Sequence, residues 1–205
     1  MRAGTSALIA LLWCASPAVA QDVRLQARLD KPTMTAVNAI VDSARIAKLP
    51  TAPLIDKALE GAAKGFDGQI IITAVRQLAV RMGSAKRVLG PVVTADEIKA
   101  GAGAIDAGVS VRDLARLRAA SDKRAVTMPL AVLQDLIGQA VPIPTATDLV
   151  VQLAKAGVKD PDFTLFQRNV RADIDHGADP TVAATTRARG LLAARTGGSG
   201  SKPAH

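Results

Sequence analysis

The sequence predicts an all-α protein, built as irregular antiparallel helix pairs in a short α-solenoid-like stack; a compact helical bundle is the alternative. Three observations favour this fold class. Hydrophobic residues make up 49% of the 205 residues but aromatic residues only 2%, so small aliphatic side chains must form the core. Apolar residues recur at helical spacing, as in Leu130, Leu133 and Leu136. The only β-branched run, residues 70–73, lies between helix-forming stretches and is assigned to a helix.

Residues 1–20 have the features of an export signal. Residues 7–13 form an apolar core after Arg2, and Ala18-Val19-Ala20 is a small-x-small cleavage site before Gln21. A retained anchor and a lipoprotein modified at Cys14 are the alternatives, and the bulky Trp13 before Cys14 disfavours the second. No later run has the about 18 apolar residues that a membrane span needs. We therefore expect a periplasmic protein, or a secreted one, without a transmembrane segment after cleavage.

The remaining chain divides into three parts. Residues 21–32 are expected to be an extended leader, residues 33–195 a helical domain, and residues 196–205, which are rich in Gly and Ser, a disordered tail. The segment 89–93 is either a hinge between two halves or a plain interhelical loop. Cleavage removes the single Cys, so packing alone must stabilise the mature chain in an oxidising compartment.

The helix ends carry a recurring mark, in which a Gly closes one helix and a polar residue opens the next. It occurs at Gly65, Gly108, Gly157 and Gly177, because Gly tolerates the left-handed backbone conformation that ends a helix. The predicted helices span residues 34–48, 52–64, 68–88, 95–107, 111–120, 128–139, 146–156, 161–176 and 180–193.

The helix starts are predicted from N-cap residues. Thr94 and Glu97 form a capping box, in which each side chain satisfies a backbone N–H of the other residue. Ser110 with Asp113 and Thr145 with Asp148 follow the same pattern. Further starts combine a cap with an early proline, at Thr51, at Asp160-Pro161 and at Asp179-Pro180.

The sequence offers few groups for catalysis. Of the two His residues, His205 is the last residue, which leaves His176 as the candidate general base and, with Asp173 three residues earlier, as the candidate metal ligand pair. The competing interpretation is a helix C-terminus, where His interacts favourably with the helix dipole. No nucleophile motif is present, so we expect no cofactor and favour a non-enzymatic protein over a small metal-dependent hydrolase using Asp173 and His176.

Two further patterns are interpreted as structural rather than functional. Lys57, Glu60 and Lys64 are spaced as a helix-stabilising charge ladder. The stretch Gly101-Ala102-Gly103-Ala104 follows no predicted strand and lacks the Lys-Ser/Thr of a phosphate loop, so its glycines indicate close packing of two helices.

Basic residues are in excess. The formal net charge is +8, and loss of Arg2 leaves about +7. Arg76 and Arg87 share one side of a predicted helix, and Arg112 and Arg116 share one side of another, so these four are the candidate anion-binding residues. A merely solvated basic face is the alternative. Nucleic acid is not expected, because export removes the protein from it and no stacking aromatics accompany the arginines.

One segment resembles a known group of sequences. Residues 49–65, which follow the pattern LPxxPLxxKALEGxAKG, look like a segment of uncharacterised exported bacterial α-helical proteins, and Val170 to Arg187 looks similar too. The resemblance implies export and a helical fold, and it implies no activity. Together these observations favour an exported helical protein that binds a protein partner or organises the cell envelope. A binder of anionic lipid or envelope polysaccharide is a further alternative, and the sequence leaves the oligomeric state open.

Overall fold

The computed structural model describes residues 23–197, and within that range the chain forms helices and no strand. After one helical turn at residues 23–26, nine helices follow: α1 (Lys31–Ile46), α2 (Ala52–Ala63), α3 (Gly68–Leu89), α4 (Ala95–Asp106), α5 (Val111–Ala120), α6 (Thr127–Gly138), α7 (Ile143–Lys155), α8 (Asp160–Asp175) and α9 (Pro180–Gly197). The β-branched run at residues 70–73 lies inside α3, as predicted. No helix of the described range combines the length and apolar content needed to cross a bilayer.

The helices pack sequentially in antiparallel order, which confirms the predicted fold class. Every substantial helix–helix contact joins helices one or two positions apart in the chain, for example α1 with α3, α3 with α5 and α5 with α7. Because each helix is buried by its near neighbours, the stack needs only local contacts, as α-solenoids do. Successive helices run in opposite directions, so the C-terminal ends of α1, α3, α5 and α7 lie along one edge.

The predicted glycine helix ends are confirmed, but glycine ends only some of the helices. Gly65, Gly108, Gly157 and Gly177 all have positive φ, between 69° and 95°. Three other helices end at residues with left-handed backbone conformations that are not glycine, namely Lys48, Asp122 and Ala140. The glycine pattern did not reveal these three stops, because the residues there are not glycine.

The helix starts agree only in part with the predicted caps. The Thr94–Glu97 box is present, with the Glu97 N–H 3.2 Å from Thr94 Oγ1 and the Thr94 N–H 2.9 Å from Glu97 Oε2. Ser110 caps α5 through the Asp113 N–H at 3.0 Å, and Asp179 accepts the Val182 N–H at 2.9 Å.

Two predicted caps are wrong, and a third residue precedes its helix as predicted but forms no capping hydrogen bond. Helix α7 begins at Ile143, before Thr145, because Pro142 and Pro144 already set the backbone of its first turn. Helix α8 begins one residue earlier than predicted, so Asp160 is its first helical residue and not its cap. Thr51 precedes α2 without a side-chain hydrogen bond to it.

The N-terminal part of the described chain departs from the extended leader expected for residues 21–32. Residues 23–26 are helical, and the Leu25 side chain is completely buried. Helix α1 begins at Lys31 because Asp30 accepts the Thr33 N–H at 2.8 Å and the Thr33 hydroxyl at 3.0 Å. At the other end α9 extends to Gly197, two residues into the predicted tail. The predicted export signal and residues 198–205 lie outside the described residues.

Two core clusters share α3 and α4. One contains Leu25 and the inner faces of α1 and α2, and the other extends from α3 to α9 around Leu114, Leu133 and Phe163. The helices approach closely at Gly101, where a Cβ would lie 2.9 Å from Ala85 Cβ. The predicted packing role of the Gly101–Ala104 stretch is therefore confirmed. Residues 90–94 connect α3 to α4, and a hinge there remains a prediction.

Candidate functional site

A wide groove runs between α2, α3, α4 and α6, and we call it the four-helix groove. Its volume is about 740 Å³. Small residues on α4 let it form, because Ala100, Ala102 and Gly103 leave room between the helices. Its charged lining residues are Asp56, Lys57, Glu60, Arg81, Asp96, Lys99 and Asp106.

The Gln134 side chain forms part of the groove floor. Its Nε2 donates to the carbonyl oxygens of Ala100, at 3.2 Å, and Leu130, at 3.0 Å. A Cβ at Gly103 would lie 2.4 Å from Gln134 Oε1, so the amide rests directly against the glycine. Gly103 is thus required for the position of Gln134, and this contact ties α4 to α6 at the groove.

Some of the charged groups in the groove are paired with one another. Glu60 lies 3.0 Å from Lys57 Nζ and 2.5 Å from Lys64 Nζ, which confirms the predicted charge ladder. The hydrogen bonds from Lys64 and then Lys57 lower the pKa of Glu60 to about 2, so that this carboxylate is ionised at any physiological pH. Arg81 Nη2 lies 3.2 Å from Asp106 Oδ1.

Other groups in the groove lack such partners. Asp56, Asp96 and Lys99 are exposed, and none of them has an ion-pair partner within 4 Å among the described residues. The Nε of Arg81 is buried without a hydrogen-bond acceptor in residues 23–197. A buried donor without an acceptor is costly, by about 1–3 kcal/mol, and burial also keeps a ligand in the groove from reaching this atom.

Asp173 and His176, the predicted metal or catalytic pair, are each engaged with a residue of the protein. Arg187 holds both carboxylate oxygens of Asp173 at 2.6 Å, and this guanidinium lowers the pKa of Asp173. His176 Nδ1 lies 2.5 Å from the Ala172 carbonyl oxygen at the end of α8. Within the described residues no three His, Cys, Asp or Glu side chains converge as metal ligands would.

The four predicted anion-binding arginines differ in their surroundings. Arg76 and Arg87 lie on α3, and Arg112 on α5; all three are exposed and have no carboxylate within 4 Å in the described chain. Arg116 instead lies 2.8 Å from Asp148 and 2.9 Å from Asp113, and these hydrogen bonds, from Asp148 first, raise its pKa. The charge of Arg116 is therefore already balanced.

Several basic side chains bind backbone carbonyls at helix ends, a role that sequence reasoning missed. Lys86 of α3 donates to the Ala47 carbonyl at 2.6 Å and to that of Lys48 at 3.2 Å, at the end of α1. Arg118 donates to the carbonyls of Asp122 and Arg124 beyond α5. A cation there neutralises the partial negative charge of the helix end.

Arg124 extends the same arrangement to α7. It donates to the carbonyl oxygens of Ser121, at 3.1 Å, Val158, at 3.2 Å, and Ala154. Its partners on α7 are 30 and 34 residues away in sequence, which is why local patterns gave no sign of the contact. The edge formed by the C-terminal ends of α1, α3, α5 and α7 is therefore basic, and we call it the basic edge.

Comparison with known proteins does not extend this description. No family model, curated protein or solved structure matches the chain. The resemblance of residues 49–65 to exported helical proteins stays a prediction. The four-helix groove and the basic edge are thus the features on which a functional proposal must rest.

Proposed function

We propose that this is an exported, non-enzymatic helical protein that binds a segment of a protein partner in the four-helix groove. The observation that carries the proposal is the set of charges in the groove, Asp56, Asp96 and Lys99, that have no ion-pair partner in the described part of the chain. A polypeptide offers both carbonyl acceptors and charged side chains, so it complements such a lining.

The unpaired groups indicate what kind of segment would bind. Two carboxylates and one ammonium group favour a ligand with more positive than negative charge. The concave surfaces of helix stacks commonly bind extended segments, because several helices contribute side chains to one groove. We therefore propose a basic segment of an envelope or secreted protein as the ligand, with the periplasm as the compartment.

The alternative of a metal-dependent hydrolase using Asp173 and His176 has less support. Asp173 would have to leave its two hydrogen bonds with Arg187 before it bound a metal ion. His176 lies at the end of α8, where its ring meets the Ala172 carbonyl. The contact of His176 favours a helix-terminal role for that residue, as the helix-dipole interpretation predicts, and the contact of Asp173 is an ion pair with Arg187.

Site-specific photo-crosslinking in exporting cells tests the proposal. A benzoylphenylalanine at Lys99, in the groove, should give an adduct of discrete mass, whereas one at the equally exposed Lys155 of α7 should not. Reversing the groove charges with Asp56→Arg and Asp96→Arg should abolish the adduct. The matched reversals Asp67→Arg and Asp175→Arg, at exposed positions outside the groove, should leave it. The proposal fails if Lys99 yields no adduct, or the same adducts as Lys155.

A further inference from the structure

Two large aliphatic side chains on the basic edge are almost fully exposed. Ile46, the last residue of α1, is 85% exposed, and Val92, in the loop after α3, is 92% exposed. They are the most exposed of the large hydrophobic residues in the described chain. A single exposed aliphatic residue needs no explanation, but two on one surface with a distinct charge do.

The chain neighbours of both residues lie on the same part of the edge. Lys86 reaches from α3 to the carbonyl of Ala47, the neighbour of Ile46. A depression of about 380 Å³ is lined by both Ala47 and Pro91, the neighbour of Val92. The sequence neighbours of Ile46 and Val92 therefore line one depression, where the end of α1 meets the end of α3.

The charge of this surface is positive. Lys48 and Arg87 lie at the same depression or next to it, and Lys123 shares a second cavity, of about 520 Å³, with Val92. All three cations are exposed, and none has a carboxylate within 4 Å in the described residues. We define the basic tip as Ile46, Lys48, Arg87, Val92 and Lys123.

Two of the three nearby acidic groups in the described chain are engaged elsewhere, and one is free to offset this charge. Asp42 is paired with Arg45 at 2.5 Å. Glu97 is 5% exposed and is held by Thr94, Val126 and Arg118. Asp122 is exposed at the second cavity, and it is the acid that faces the tip. Helix α3 itself contains no acidic residue.

We propose that the basic tip docks this protein on an anionic phospholipid bilayer. Lys48, Arg87 and Lys123 contact the headgroup phosphates, while Ile46 and Val92 enter the boundary between headgroups and acyl chains. Surfaces that combine basic and aliphatic side chains bind anionic bilayers in this way. A soluble polyanion would use the three cations but would gain nothing from Ile46 and Val92, so the exposed aliphatic residues favour a bilayer. The inference does not depend on the four-helix groove.

Vesicle co-sedimentation tests this inference. The chain from Gln21 onward is used, because residues 7–13 would bind lipid by themselves and both core clusters consist of residues 25–188. Vesicles containing phosphatidylglycerol should bind the protein at low salt and phosphatidylcholine vesicles should not. Binding should fall on going to 0.5 M salt, because salt screens exposed charges.

Charge variants with a matched control test the location. Lys48→Gln, Arg87→Gln and Lys123→Gln together should lower vesicle affinity about 100-fold at low salt. The control is Arg112→Gln, Arg168→Gln and Arg171→Gln, which removes the same charge from exposed, unpaired arginines of α5 and α8. The control should retain most of the binding. An equal loss in both variants would show a general charge effect and overturn the proposed docking surface.

Aliphatic variants distinguish a bilayer from a soluble polyanion. Ile46→Ser with Val92→Ser should lower vesicle affinity at least about tenfold, because both residues leave water on docking. The control Val80→Ser with Val182→Ser, at positions 64% and 60% exposed, should not. Unchanged vesicle binding by the Ile46/Val92 variant, or absence of wild-type binding to anionic vesicles at low salt, refutes the inference. Circular dichroism and thermal unfolding verify that every variant is folded.

Discussion

Replacing Glu97 with Ala should destabilise the fold far more than the loss of one helix cap. Glu97 Oε2 accepts the Thr94 N–H at 2.9 Å, and Oε1 accepts the buried Val126 N–H at 3.0 Å, so one carboxylate joins the starts of α4 and α6. Losing the cap costs about 1 kcal/mol. Leaving the Val126 N–H without its charged acceptor costs about 1.5–3 kcal/mol more. We therefore expect a loss of about 2.5–4 kcal/mol in the free energy of unfolding.

Urea unfolding at pH 7, followed by circular dichroism, measures this loss. Thr94→Ala removes only the cap and should cost about 1 kcal/mol. Asp96→Asn changes an exposed neighbouring carboxylate without an ion-pair partner in the described chain, and it should change stability by less than about 0.5 kcal/mol. If Glu97→Ala cost no more than Thr94→Ala, the contact with Val126 would contribute nothing and the reasoning would be wrong.

The contribution of Glu97 should also depend on pH. Burial by itself raises the pKa of Glu97, but the hydrogen bonds from Thr94 and Val126 and the charge of Arg118 outweigh it, so the pKa lies below its ordinary value of 4.5. Since the folded-state pKa is lowered, the stabilisation is fully present above pH 4.5 and is lost as the pH falls through the folded-state value. The difference between wild type and Glu97→Ala should therefore narrow below about pH 4.

Three further substitutions test the helix contacts. In urea unfolding, Gly101→Ala should lower the free energy of unfolding by about 1–3 kcal/mol, because its Cβ would lie 2.9 Å from a side-chain carbon of α3. The control Gly83→Ala, whose Cβ would lie 3.7 Å from its nearest neighbour, should be neutral or stabilising. Ala140→Gly should raise the free energy of unfolding by about 1 kcal/mol because φ is 66° at that residue, while Ala156→Gly, at φ −73°, should not. A lower free energy of unfolding for Ala140→Gly would contradict the strain argument. His176→Ala should lower the free energy of unfolding by no more than about 1 kcal/mol and should leave the metal content, measured by atomic emission, unchanged. Bound zinc or calcium in the wild type that this variant loses would favour the hydrolase.

Local patterns predicted the helices well because the signals lie within a few residues. Gly65 and Gly108 end their helices through their own backbone freedom, and Ser110 begins α5 through an N–H three residues away. The errors occurred where contacts distant in sequence intervene. Leu25 is buried in the helical turn of a segment predicted to be extended. Helix α1 ends near Lys48, where no glycine is present, and there Lys86 donates a hydrogen bond to the Ala47 carbonyl.

The candidate sites were less predictable than the fold. The sequence identified Arg87 as exposed and basic, but it treated Arg116 in the same way, although Asp148, 32 residues away, balances it. It gave no sign that Asp96 and Asp56 share a groove, because they come from different helices. Which charges are free and which are paired depends on distances that no local spacing encodes.

The sequence by itself determined that this chain is helical, where most of its helices begin and end, and that small residues of α4 permit close packing of two helices. Hydrogen bonds and apolar periodicity within a few residues carry that information. Only the tertiary structure decided the use of the charged residues. Glu97 looked like a local capping residue, but the fold brings it to Val126, 29 residues away, and makes it a link between helices. In the same way, antiparallel stacking aligns alternate helix ends, and so it gathers cations from distant segments into one basic edge.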